Sequence, residues 1–172
     1  MKLSSLRPGD HSPFYQTYLD YLPNEDVIDL LKQTRDEFLY FLDHLSEKDL
    51  KHSYAEDKWT VAQVLQHLLD TERIFQYRAL TVSRNDKTSI PGYDHDSYVP
   101  ASRADGRSLV SFKVEFELIR NSGIALFESF DTEMLTIQGN VNDSNFIPLA
   151  AGFIISGHQK HHLHLFKERY GL

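Results

Sequence analysis

The sequence predicts an all-α protein, a four-helix bundle forming one domain over residues 1–172. Four long segments carry apolar residues at helical spacing, and no segment alternates polar and apolar residues as a strand does. The chain is also long enough to bury a core without disulfides or a structural metal. A long connection separates the second and third predicted helices, which allows those two helices to run parallel.

Residues 1–22 are predicted to be an irregular N-terminal segment whose aromatic residues pack onto the body of the protein. The first helix follows Pro23, with Asn24 as its expected N-cap. Its apolar residues recur at helical spacing from Val27 to Leu45.

The second helix has the clearest start signal in the chain. Thr60 and Gln63 have the spacing of a capping box, in which each side chain bonds to the other residue's backbone N–H. Trp59 precedes the cap and is expected to pack against Val64 or a nearby residue as a hydrophobic staple. The helix is predicted to end near Ser83.

The remaining chain contains two more helices and two connections. Residues 84–106 are rich in Pro, Gly, Asp and Ser, and a connection of this length within one domain is typically functional or a crossover. The third helix is predicted over about residues 108–130, followed by a second irregular stretch at 131–146. The fourth helix begins near Pro148, where proline is tolerated in the first turn, and runs to about Arg169.

Composition narrows the classes of function. The chain has no cysteine, which excludes disulfides, thiolate metal sites and cysteine nucleophiles. Its net charge of −7 and its scattered arginines argue against nucleic-acid binding. No apolar run reaches the roughly 18 residues that a membrane span needs, and the first residues lack the apolar centre of a signal peptide. We expect a cytoplasmic protein without a membrane or nucleic-acid partner.

The fourth helix contains a histidine pair with the spacing of a metal site. His158 and His162 are four residues apart, so they lie on the same face of the helix, about 5–6 Å from each other. That face also carries apolar residues such as Ile155 and Leu165. A buried imidazole without a partner is costly, so these side chains require a ligand or a hydrogen-bond partner.

A third histidine, His67, lies among leucines in the middle of the second helix, on a stripe with Thr71, Ile74 and Arg78. Together with His158 and His162 it would give three imidazoles and an open fourth position, the character of a catalytic rather than a structural metal site. The spacing leaves an alternative open, because a single core-facing histidine is often only a hydrogen-bonded core residue.

Other polar residues have weaker predicted roles. His161 could edge the site, whereas His164 should face elsewhere, and His95 is expected to be an ordinary residue of the long connection. Thr71 is positioned to orient a bound water. Arg78 is a candidate for holding an anionic group of a substrate, although an ion pair with an acid of the bundle is the simpler explanation.

Residues of the long connection are further candidates for the site. Tyr93, Asp94 and Asp96 belong to the long connection and would either support a ligating histidine or roof the pocket, and the alternative is a solvated loop.

The motifs KWTVAQVLQHLLDTERIFQYRAL, SRNDKTSIPGYDHDSYV and ISGHQKHHLHLFKERY together resemble the DinB-like (DinB/YfiT-type) superfamily of metal-dependent hydrolases, over about residues 24–170. The resemblance implies a bundle in up-down-down-up order and a metal triad at His67, His158 and His162. It implies a divalent cation, with zinc or nickel the commonest. Its characterised members include thiol S-transferases that use low-molecular-weight thiols and a maleylpyruvate isomerase dependent on mycothiol.

Three functions follow as hypotheses. The first is a metal-dependent hydrolase or thiol S-transferase that acts on a small molecule. In this hypothesis Thr71 and Arg78 are further residues of the site. The second is a non-enzymatic homodimeric stress-response bundle whose metal is structural or vestigial. The third is a metal-free bundle that binds a small molecule. Imidazole ligands suit zinc, nickel, copper and iron alike, so the sequence does not select the metal.

Overall fold

A computed structural model describes residues 1–172, which form seven α-helices and one small antiparallel sheet. The helices are α1 (Gln16–Leu19), α2 (Val27–His44), α3 (Val61–Ser83), α4 (His95–Ala101), α5 (Leu109–Glu128), α6 (Thr132–Thr136) and α7 (Pro148–Leu165). The strands are β1 (Gly139–Val141) and β2 (Ser144–Phe146). Short 3₁₀ turns occupy Leu3–Ser5, Pro13–Tyr15, Asp49–Lys51 and Ala104–Gly106, and a π-helical turn at Phe166–Tyr170 extends α7.

The long helices α2, α3, α5 and α7 form a four-helix bundle in which α2 and α3 each pack against both α5 and α7. Helices α3 and α7 are antiparallel: the Tyr170 hydroxyl, just after α7, donates to the Trp59 carbonyl just before α3 at 2.8 Å. The rings of Phe75, late in α3, and Phe146, before α7, have centroids 6.2 Å apart.

Two hydrogen bonds show that α3 and α5 run parallel. Arg107, just before α5, donates to the Gln66 side chain early in α3, and the Gln76 side chain later in α3 donates to the Ile119 carbonyl of α5. The bundle therefore has the up-down-down-up order, and the predicted all-α four-helix fold is confirmed. The 84–106 connection is what returns the chain to the start of a parallel helix.

The start of α3 is the capping box that the sequence predicts. The Gln63 N–H donates to the Thr60 hydroxyl at 3.2 Å, and the Thr60 N–H donates to the Gln63 side-chain oxygen at 3.0 Å. Trp59 packs against the apolar cluster that contains Val64, and its ring centroid also lies 5.2 Å from that of His67. The cap thus also brings an indole ring to the candidate site.

The expected N-cap of α2 is wrong by two residues. Asp26, not Asn24, caps the helix by accepting a hydrogen bond from the Ile28 N–H at 2.9 Å. Asn24 instead accepts from the Ser4 N–H at 2.9 Å, which ties the N-terminal segment to the start of the bundle. Both side chains are good caps, and only the tertiary contact decides between them.

Both connections that were predicted to be irregular contain regular structure. The 84–106 connection includes α4 and a 3₁₀ turn, and the 131–146 stretch includes α6 and the β1–β2 hairpin. The hairpin turns at Asn142 and Asp143, which both have positive φ, as a tight two-residue turn requires. Three-residue strands are too short to show an alternating pattern, which is why the sequence did not reveal them.

The N-terminal segment is also more ordered than predicted, because it contains two 3₁₀ turns and α1. It packs onto α7 at Gly157, where an added Cβ would lie 2.4 Å from the Tyr18 carbonyl oxygen. Only glycine permits this approach. As predicted, aromatic residues of the segment lie against the body of the protein, since Tyr15 packs edge-on against Phe75 at 5.5 Å.

Two apolar clusters fill the bundle, and a layer of buried polar side chains lies between them. Arg120 is fully buried and donates to both Glu72 carboxylate oxygens, at 2.8 and 2.9 Å. Its remaining N–H groups reach the Thr34 hydroxyl, the Leu31 carbonyl and the Gln159 side-chain oxygen. The layer therefore satisfies its own charges, as a buried ion pair must. None of the helices has the length and apolar composition required to cross a bilayer.

Candidate metal centre

The three predicted histidines meet within the bundle, between α3 and α7. The Nε2 atom of His158 lies 3.1 Å from the Nε2 atom of His67 and 3.1 Å from that of His162. One potential ligand nitrogen from each residue lies within 4.8 Å of the other two. A single His158 nitrogen cannot donate a proton to both neighbours, so hydrogen bonding alone does not explain the cluster.

These separations suit a shared cation. Nitrogen ligands about 2.0–2.1 Å from a tetrahedral zinc-type ion lie roughly 3.3 Å from one another. The side chains of His67, His158 and His162 are buried, and His162 Nδ1 has no hydrogen-bond partner. The donor set is all nitrogen, in agreement with a chain that contains no cysteine.

Burial keeps the three imidazoles in the neutral form that binds metals. Desolvation, together with smaller effects of the neighbouring His95 and His161 rings, lowers the pKa of His67 to about 4. Burial is the main reason that the pKa values of His158 and His162 lie well below the usual value for histidine. The neighbouring imidazoles lower both pKa values as well. The cluster is therefore uncharged at neutral pH and does not have to lose protons before a cation enters.

Helical geometry places the cluster. His158 and His162 share a face of α7 by their four-residue spacing, with ring centroids 4.6 Å apart. Tyr18 of α1 packs edge-on against His158 at 5.1 Å, held there by the close approach at Gly157. The N-terminal segment thus covers one side of the pair.

Thr71 lies beside the cluster, one turn along α3 from His67. Its hydroxyl is 3.5 Å from His67 Nδ1 and shares a hydrogen bond of 2.6 Å with the Tyr93 hydroxyl. Burial raises the pKa of Tyr93, so its phenol is protonated at neutral pH. Tyr93 and Thr71 therefore form a polar chain that ends at the side of His67 facing away from the cluster.

An open cleft of about 640 Å³ leads to His67 and His158. Its walls come from five parts of the chain: the N-terminal segment, α3, the residues around the start of α4, the hairpin turn, and α7 at His158. The α3 wall consists of His67, Thr71, Phe75 and Arg78. The stripe was predicted to contain Ile74, but Phe75 lines the cleft instead. Ile74 lines other grooves.

Arg78 is buried in this wall but does not form the ion pair that was its simpler explanation. The structure places no carboxylate within ion-pair distance of its guanidinium. Glu72, by contrast, forms a buried ion pair with Arg120.

The remaining histidines divide as follows. His164 is exposed and lies outside the cluster, as predicted, and its ring contacts that of Tyr21. His161 is half-buried beside His162 but outside the three-nitrogen cluster.

The sequence did not reveal that His95 belongs to the site. Its ring lies 5.5 Å from that of His67 and lines the cleft. The signal that could have revealed it is the Asp94 N-cap, which accepts from the Asp96 and Ser97 N–H groups and starts α4 at His95. Tyr93 and Asp94 line the cleft, whereas Asp96 is exposed outside it.

Fold and site together define a helical bundle with a polar centre, and comparison with known proteins gives the family. The model of the DinB superfamily matches residues 30–166, and the chain belongs to that superfamily. No curated protein matches the sequence significantly.

One solved structure with the same fold is YfiT from Bacillus subtilis, described as "a probable metal-dependent hydrolase with an unusual four-helix bundle topology". It is 18% identical, superposes with a TM-score of 0.68, and the match covers 95% of this chain and 89% of that one. At this identity the likeness establishes the shared fold.

Proposed function

We propose that this protein is a divalent-metal-dependent enzyme in which His67, His158 and His162 hold the ion. The observation that carries the proposal is the convergence of three neutral, buried imidazole nitrogens, two of which, those of His67 and His158, belong to residues that line an open cleft. Structural metal sites are usually closed by four protein ligands, whereas catalytic sites keep a position for water or substrate. Three ligands beside a cleft favour the catalytic type.

Zinc and nickel are the proposed ions. Both are bound well by imidazole, and the cluster lacks the oxygen ligands that magnesium and calcium prefer. When bound, such an ion supplies Lewis acidity, which polarises a carbonyl or phosphoryl group and lowers the pKa of a water or a thiol.

The chain's own residues supply orientation. The Thr71 hydroxyl lies between His67 Nδ1 and the Tyr93 phenol, so it fixes the His67 ring and remains near the cleft to orient a water or thiol. The aromatic walls exclude water from a bound substrate, with Tyr15, Tyr18 and Phe75 forming an apolar side.

The substrate is proposed to be a small molecule, since 640 Å³ is the size of a ligand pocket rather than of a macromolecular interface. Hydrolysis and thiol transfer are both compatible with the site. Because the chain contains no cysteine, a low-molecular-weight thiol would meet no competing protein thiolate. Activity assays with the two classes of substrate distinguish hydrolysis from thiol transfer.

Metal analysis tests the proposal. The wild type purified with zinc or nickel should hold one ion per chain, and His158→Ala should lose it. His164→Ala is the matched control, because His164 lies on the same helix but is exposed. Metal retained equally by His158→Ala would overturn the site.

Activity then separates the two reactions. The metal-loaded protein should turn over either a panel of ester, amide and phosphoester substrates or a panel of electrophiles with added thiol. Activity should disappear in His158→Ala and survive in His164→Ala. A fully metal-loaded wild type inactive in both panels would count against an enzyme.

A homodimer is a second proposal, favoured by a stripe of exposed apolar residues on α5. Val110, Val114 and Leu118 recur every four residues and are 69%, 53% and 66% exposed. Such a stripe is typical of a helix that meets a partner. Sedimentation should show a dimer that Val114→Lys dissociates and Glu133→Lys, at an exposed position on α6, does not. A wild-type monomer would refute the homodimer.

A further inference from the structure

The far end of the cleft contains a buried cation that the protein itself does not neutralise. Arg78 is 2% exposed and lines the same cleft as His67. Its guanidinium carbon lies 5.0 Å from the Phe75 ring centroid and 5.9 Å from that of Tyr93. The aromatic rings hold the group in place, but they do not supply a negative charge.

Arg78 has few hydrogen bonds. The structure gives its five N–H donors one contact, from Nη2 to the Pro91 carbonyl, at the long distance of 3.5 Å. Its Nε is buried without any acceptor. A buried charge without partners is costly, so a site of this kind is expected to be completed by a ligand.

Arg120, the other buried arginine of the bundle, has the full set of partners expected of a structural arginine. Arg120 has a bidentate carboxylate partner and three further acceptors, as described above. Arg78 has neither a carboxylate nor a second acceptor, although the chain contains 25 acidic residues. The contrast between the two arginines sets Arg78 apart from a structural role.

The one carboxylate in the cleft lining is already engaged. Asp94 accepts hydrogen bonds from the Asp96 N–H at 3.0 Å and the Ser97 N–H at 3.3 Å, as the N-cap of α4. It makes no ion pair with Arg78. The guanidinium therefore remains available on the cleft side.

We infer that Arg78 binds an anionic group, a carboxylate or a phosphate, of the molecule that occupies the cleft. A guanidinium matches both groups because its N–H donors form a planar fork. The apolar part of the molecule lies along the aromatic wall. This inference rests on the proposed function only in treating the other end of that molecule as the reacting end.

The spacing of the cleft-lining residues along α3 also indicates the length of the ligand. His67, Thr71, Phe75 and Arg78 occur at intervals of four, four and three residues, so they form one stripe. Eleven residues of helix rise about 16 Å, and after the reach of the side chains a ligand touching both ends is on the order of 10 Å long. The substrate class is thus an extended anion with an apolar middle, rather than a fragment such as acetate.

Calorimetry on metal-stripped protein, dialysed free of chelator, tests this inference. The probes are 3-phenylpropanoate, phenyl phosphate and the neutral 3-phenylpropanamide. The wild type should bind at least one anion at least about tenfold more tightly than the amide, as charge-assisted hydrogen bonds predict. The carboxylate and phosphate arms identify which anion the fork prefers.

Two variants complete the test. Arg78→Met should abolish the preference for anions, and Arg84→Met, at an exposed arginine just after α3, should keep it. Arg78→Lys should give an intermediate preference, since it retains the charge without the fork. Because Arg78 is unpaired, the ligand-free Arg78→Met protein should melt no lower than the wild type.

The outcomes separate the inference from the proposed function. Equal wild-type affinity for the amide and both anions, or an unchanged anion preference in Arg78→Met, overturns the Arg78 subsite whatever the metal content. The wild-type comparison decides even if a variant does not fold. Absence of metal binding with a clear anion preference would overturn the proposed enzyme and leave the anion subsite standing.

Discussion

The hydroxyl of Tyr93 shares a 2.6 Å hydrogen bond with Thr71, and Thr71 in turn lies against Nδ1 of His67. The bond joins the long connection to α3 at the proposed metal ligand. It fixes Thr71 from outside the helix, so the loop takes part in setting the orientation of the His67 ring.

Tyr93→Phe should weaken metal binding while leaving the fold intact. Loss of a partner behind a metal-binding histidine typically lowers metal affinity by about 10- to 100-fold. Competition with a chromophoric chelator measures the change. Tyr77→Phe is the control, since Tyr77 is exposed on α3, the helix that carries His67. An unchanged metal affinity in Tyr93→Phe would show that the bond does not support His67.

Glu72→Gln should destabilise the protein strongly, because it leaves the Arg120 charge buried without its carboxylate. Breaking a buried ion pair by removing one partner costs about 3–5 kcal/mol of unfolding free energy. Urea unfolding measures the loss. Glu128→Gln, in the exposed pair with Lys32, should cost less than about 1 kcal/mol. Similar losses in the two variants would mean that the polar layer is not a stabilising feature.

The stability of the metal-free protein should fall as the pH drops below about 6.5, the pKa of histidine in an unfolded chain. Burial lowers the pKa of His67 to about 4, so between these values the unfolded chain binds a proton that the folded protein excludes. Each such imidazole contributes a slope of up to about 1.4 kcal/mol per pH unit. The contribution is complete above pH 6.5 and is lost toward pH 4.

Urea unfolding of chelator-treated protein from pH 8 to pH 5 measures this slope. His67→Gln removes one of the three imidazoles and should make the dependence shallower by about one proton. A stability that stays level between pH 7 and pH 5 in the wild type would contradict the buried, neutral state of the cluster.

The sequence predicts the features that depend on local pattern. Helical periodicity gave the four bundle helices, and the spacing of Thr60 and Gln63 gave the cap of α3. It also placed His158 and His162 on one face. These signals need no knowledge of how distant parts of the chain meet.

The features that it missed depend on the path of the chain. His95 and Tyr93 reach the cleft because the long connection folds back over α3, and no local pattern encodes that route. Asp26 replaces Asn24 as a cap because Ser4 occupies the Asn24 side chain. The isolation of Arg78 is likewise a tertiary fact, since only the fold shows that no acid approaches it.

The close contact between Gly157 and Tyr18 has a further consequence for how this protein can diversify. The three imidazoles lie within residues 30–166, the region shared with the DinB superfamily, whereas Tyr15 and Tyr18 lie before it. One wall of the cleft is thus built from chain that precedes the residues matched by the family model and lies outside the four long helices. Changes in that wall can alter which molecules enter while the histidines, and the helices that carry them, stay the same.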